Sequence, residues 1–197
     1  MASEPSFNTM YTEDDVFMFY INSSNKFYPG FGKGEKVKQT HIKNYLELSK
    51  IEDWRQKLSN QWKSPFKLNG LRWLSVEHYY QASKFKNNNY AYYLQFSLDS
   101  GSDLSKDPII AHGAGSKTGR VNGKLFRSKE IKIDDDFFNG RSEEEMFRAQ
   151  YCKFKQNKEM RDILLKTGMA QLFHYRIKKK TPIFFKGLVY VRFLLHK

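Results

Sequence analysis

The chain has 197 residues, enough for one domain with a full core. Its 40% hydrophobic and 16% aromatic content argues against disorder, a single cysteine excludes a disulfide framework, and no apolar run approaches the roughly 20 residues of a membrane span. The formal net charge of +13 suits an anionic partner or, more simply, keeps the chain soluble. Residues 1–15 are polar and acidic and read as a flexible tail, neither signal nor transit peptide. The expectation is a soluble, intracellular protein, cytoplasmic or nuclear, with no membrane partner and an oligomeric state the sequence leaves open.

In chain order, VFMFYI (Val16 to Ile21) reads as a buried strand, followed by a loop punctuated by Pro29, Gly30, Gly32 and Gly34. NYLELSKIEDWRQKLS places Leu46, Ile51, Trp54 and Leu58 near one face of a helix. SPFKLNGLRW predicts a hairpin that turns at Asn69-Gly70. Ser75 is a plausible N-cap for a helix running to about Lys86. Tyr90 to Leu98 is a shorter helical candidate, IIAHGAGSKTGR a loop or short helix, and LFRSKEIKID an alternating strand. Ser142 with Glu145 fits a capping box at the head of a helix reaching about Gln156. Asn157 caps another that ends at Gly168, and FFKGLVYVRFLL supplies a last helix. The fold class predicted is α+β: a single, compact, mostly helical domain over 16–197 with a few short strands.

The helix after Ser75 raises the functional question. At about 100° per residue, Glu77, Tyr80, Gln81 and Lys84 share one face. Glu77 sits in the first turn, where free N–H groups favour the carboxylate, which suits facing a developing cation or orienting a water. Lys84 lies about 10 Å further along, too far to pair with Glu77 but placed for the far end of an elongated ligand. Periodicity alone equally allows an amphipathic surface helix. GAGSKT (Gly113 to Thr118) imitates a phosphate loop, but Ser116, not glycine, precedes Lys117. The five histidines show no ligand pairing, so no metal is expected, and Cys152 reads as a small core residue. The basic run RIKKK (Arg176 to Lys180) is either a solvated turn or a phosphate-backbone contact.

Five ordered segments resemble one known family. RWLSVEHYYQASKF (Arg72 to Phe85) is similar to the W-x-S-x-E-H-Y-[FY]-Q-A-x-K-F signature of the NADAR, or YbiA-like, family. FMFY (Phe17 to Tyr20) resembles the family's opening strand, and LSNQWKSPFKLNG (Leu58 to Gly70) its F-S-N-F-x-x-x-P-F-x-x-D-G segment. SKTGR (Ser116 to Arg120) matches A-K-x-x-G-R, and Met146 to Leu172 matches the segment ending L-L-x-T-G-x-x-x-L. The resemblance spans roughly Val16 to Leu195. It implies N-glycosidase chemistry on ribose or ADP-ribose derivatives, with NAD and ADP-ribose among the family's ligands and no cofactor.

By family position Glu77 is the expected catalytic carboxylate. Tyr80 and Lys84 line the pocket with Trp73, Asn60 bonds sugar or base, and Lys117 and Arg120 hold phosphate. Two departures mark this chain as a branch. Residues of about 22–57 form an insertion that short members lack. After the last matched segment the chain reads LFHYRIKKKTPIFFKG, with His174 where many members have glutamate and no Asp or Trp-Gly pair beyond it. That ending argues against cleavage of riboflavin-biosynthesis intermediates and for an ADP-ribose-directed activity, ADP-ribosyl-guanine in nucleic acid being the preferred substrate. A non-catalytic ADP-ribose or NAD reader, and a nucleic-acid-binding structural protein with a vestigial pocket, are the alternatives.

Overall fold

The structure, a computed structural model, describes residues 6–23, 26–175 and 181–196. Its elements in chain order are β1 (Thr12–Phe19), α1 (Leu46–Ser49), α2 (Trp54–Lys57), β2 (Phe66–Leu68), β3 (Leu71–Trp73), α3 (Val76–Ser83), α4 (Tyr90–Leu94) and α5 (Pro108–Ala114). Then follow β4 (Arg120–Val121), β5 (Lys124–Leu125), α6 (Ser142–Gln156), α7 (Lys158–Lys166), β6 (Ala170–His174), β7 (Ile183–Phe184) and α8 (Lys186–His196). The class is α+β and mostly helical, as expected. No helix among the described residues is long and apolar enough to cross a membrane. RIKKK lies outside the described residues.

Contacts gather into two units, Met1–Ser59 with Lys158–Lys197, and Asn60–Asn157. In the first, β1 runs parallel to β6, pairing Phe17 with Leu172 and Phe19 with His174, and β7 adds antiparallel to β6. The strand starts earlier than Val16: Thr12 donates its N–H to Met169 O at 2.7 Å, and Arg192 Nη2 reaches Met10 O at 3.2 Å. The last part of the expected tail is thereby anchored. The helix expected across Asn44 to Ser59 is broken. A 3₁₀ segment (Gln39–Tyr45) leads into α1, and Asp53 then adopts φ 52°, a left-handed conformation no α-helix tolerates. Leu46 consequently faces solvent, while Trp54 and Leu58 are buried.

The second unit is built around α3. Its N-terminal side carries the β2–β3 hairpin, whose turn residues Asn69 (φ 53°) and Gly70 (φ 77°) both take the left-handed conformation a two-residue turn requires. Trp73, Tyr79, Phe85, Tyr93 and Phe96 form the core, with α5 and α6 packed on α3. Of the eight α3 residues only Tyr80 is not buried, so α3 is an internal helix rather than an amphipathic surface one. The capping box expected at Ser142 does not form. Ser142 is already helical, and Glu145 instead accepts from Tyr79 Oη and pairs with Arg148 at 3.1 Å. The strand expected across Leu125 to Asp134 shrinks to β5, because the Phe126 and Arg127 amides turn back to Gly119 O.

Candidate active site

Ser75 is the N-cap of α3, as its sequence indicates: extended at φ −154°, it bonds His78 Nδ1 through Oγ at 2.8 Å. His78 therefore holds the helix start in place. Burial, partly opposed by the charges of Glu77 and Asp107, lowers its imidazole to about 4, so the ring is neutral. The next orphan amide of the helix, Glu77 N–H, donates to Asn60 O at 2.8 Å. That bond fixes where the Glu77 side chain leaves the backbone.

Glu77 Oε1 accepts from His112 Nδ1 at 2.7 Å and from Gln81 Nε2 at 2.8 Å. An ionised carboxylate only accepts, so Nδ1 carries the proton in that contact. Among the described residues no donor reaches Oε2, and the side chain keeps 10% of its surface open. Burial works against the charge, but the His112 and Gln81 hydrogen bonds and the nearby Lys84 outweigh it. The Glu77 carboxyl is held below the ordinary carboxylate range.

Gln81 links the two ends of the face. Its amide oxygen accepts from Lys84 Nζ at 2.5 Å, and Lys84 also donates to Gly115 O at 2.9 Å. The acid and base judged too far apart to pair are thus joined through one amide. Burial lowers the Lys84 ammonium to about 8, with the Glu77 charge opposing and Arg127 adding. Gly115 is required here, since a Cβ would collide with the Gln81 side chain. An aromatic wall flanks Lys84: Nζ lies 5.5 Å from the Tyr80 ring centre and 5.9 Å from that of Phe138. Phe137 supports Tyr80 edge-on, whereas Phe138 is 63% exposed and presents its face outward.

The structure thus brings Glu77, Tyr80 and Lys84 together. Asn60 joins them through its backbone carbonyl, because its side chain is taken up by Gln150 and Met146. Trp73 is fully buried, its indole N–H donating to Leu68 O at 3.0 Å, so it packs beneath the site rather than lining it. Lys117 and Arg120 line a pocket of about 350 Å³ with Arg127. His174 belongs to the other unit, where it ends β6 with its ring against Phe19 and Phe185. Sequence reasoning missed His112, Gln81's bridging role and Phe138. His112 sits on α5, 35 residues from its carboxylate, so no spacing rule links them; Gln81 was legible on the Glu77 face.

The NADAR domain family matches residues 37–180. N-glycosidase YbiA of Escherichia coli (strain K12) is 28% identical over 141 residues, covering 72% of this chain and 74% of its own. N-glycosidase YbiA of Shigella flexneri serotype 5b matches to the same extent. The NMR structure of E. coli YbiA superposes with a TM-score of 0.56 at 21% identity, covering 93% of this chain and 84% of that one.

Proposed function

Because this chain belongs to the NADAR family, we propose that it is an N-glycosidase that hydrolyses the ribose–nitrogen bond of an ADP-ribosylated or phosphoribosyl nucleobase, ADP-ribosyl-guanine in nucleic acid being the preferred case. The observation that carries this reading is the asymmetry of Glu77: one oxygen is saturated and fixed, the other is open, and the group is held ionised. Cleavage sends the C1–N electron pair to the base and leaves oxocarbenium charge on the sugar. A preorganised carboxylate in a site largely closed to water stabilises that charge. The same oxygen orients the water that adds to C1, whose proton passes to the departing base. A second carboxylate is unnecessary, since a nucleobase nitrogen leaves with little protonation. Tyr80 and Phe138 offer faces on which the base stacks.

One departure favours a second reading, an ADP-ribose or NAD reader that binds without cutting: His174 stands where the resemblance places an acid. Product detection on a panel of ADP-ribosylated bases and riboflavin-biosynthesis intermediates separates the two. Release of free ADP-ribose from ADP-ribosylated guanine, lost in Glu77→Gln, supports the enzyme. Ligand binding by calorimetry with no product, unaffected by that change, supports the reader.

A further inference from the structure

The pocket between the β4–β5 hairpin and residues 127–133 is lined by Lys117, Thr118, Arg120, Arg127, Lys129 and Lys132 among others, and none of its ten lining residues is acidic. Glu130 lies in the same segment but does not line it, and its carboxylate is engaged by Ser128. Arg127 is the unusual member. It is 8% exposed, it lies over the Phe85 ring at 5.1 Å, and Nη2 donates to Lys117 O at 2.9 Å. Its Nη1 is buried with no acceptor.

The other buried arginines of the chain are matched. Arg55 grips Glu35 with two nitrogens, and Arg192 has Thr167 Oγ1, Ala170 O and Met10 O. A buried guanidinium left with one carbonyl is costly, and the natural compensation is an anion. The local backbone is built to hold it there: Gly119 has φ 66°, and a Cβ at that position would press on Arg127 Cβ at 2.8 Å.

We infer that this pocket binds the diphosphate of the ligand, with Arg127 as its buried anchor and Lys129 and Lys132 at its mouth. The tie to the site is covalent and short. Lys84 holds Gly115 O and Arg127 holds Lys117 O, two residues apart and therefore at most about 7 Å along the chain. Anion binding stands on the pocket alone; that the diphosphate belongs to a ribosyl substrate rests on the reading of Glu77 given above.

Calorimetry with inorganic pyrophosphate and with ADP-ribose tests this on wild type, Arg127→Gln, Lys129→Ala/Lys132→Ala and Glu77→Gln. The expected result is that wild type and Glu77→Gln bind both, that Arg127→Gln weakens both at least tenfold, and that the exposed double variant weakens both severalfold. The double variant removes only surface lysines and reports even where Arg127→Gln does not fold. No pyrophosphate binding by wild type at millimolar concentration, or equal binding by wild type and the double variant, overturns the proposal. So does loss of single-stranded oligonucleotide binding in these variants with ADP-ribose affinity retained. Pyrophosphate binding that depends on these residues, with no turnover of any substrate, leaves the pocket standing and removes the enzymatic reading alone.

Discussion

Glu35 and Glu77 are both carboxylates withdrawn from water, one in each unit, and they are built to opposite ends. Glu35 is closed. Its side chain has no exposed surface, both oxygens receive Arg55, and the amides of Met18, Gly30 and Gly32 fill the remaining directions. Arg55 in turn holds the carbonyls of Lys26 and Tyr28 and stacks on Trp54 at 4.1 Å. This pair fastens the loop of the insertion onto its own unit. Glu77 has fewer donors, no arginine, and one oxygen left open. A carboxylate whose job is structural is satisfied completely; one kept for chemistry is oriented through one oxygen and left available through the other.

The largest expected effect comes from exchanging the two. Glu35→Gln leaves Arg55 buried without its counter-charge and should cost about 3–5 kcal/mol in denaturant unfolding, with turnover per folded molecule unchanged. Glu77→Gln should lower kcat by about 10³-fold, with little change in the unfolding midpoint. Next is His112→Ala, expected to lower turnover by about 10²-fold. It also removes the donor that holds Glu77 ionised against burial. Glu77's pKa therefore rises, and the acid limb of the pH–rate profile moves to higher pH, which a pH series on the variant reads directly. Phe138→Ala should raise KM about five- to tenfold with kcat little changed, the loss of roughly 1 kcal/mol of base stacking.

The smallest effect concerns Lys84. Its folded pKa is about 8 against 10.5 unfolded, so the unfolded chain binds more protons between those values, and stability gains from this group as pH rises across that window. Lys84→Met should flatten the rise by up to about 1.4 kcal/mol per pH unit in urea unfolding. Ligand binding that needs the ammonium weakens across the same window as Lys84 loses its charge.

The sequence was most readable where local signals sufficed. Ser75, the Asn69-Gly70 turn and the motif around Glu77 each encode their own geometry within a few residues, and all three appear as expected. It was least readable where a partner is distant. The capping box at Ser142 failed because Tyr79 and Arg148 compete for Glu145, and the helix through Trp54 failed because one residue, Asp53, reverses its backbone. His112 looked like a histidine among five, and Arg127 like one cation among 34. Only the fold shows that the first meets a carboxylate and the second has none.

The most direct measurement is the single-turnover rate of C1–N cleavage on ADP-ribosylated guanine, compared between wild type, Glu77→Gln and the conservative control Glu35→Asp, each checked for folding by circular dichroism. Cleavage by wild type and Glu35→Asp, with Glu77→Gln slower by about 10³-fold, is the expected result. A folded Glu77→Gln that cleaves at the wild-type rate would contradict the assignment of Glu77 as the carboxylate that does the chemistry.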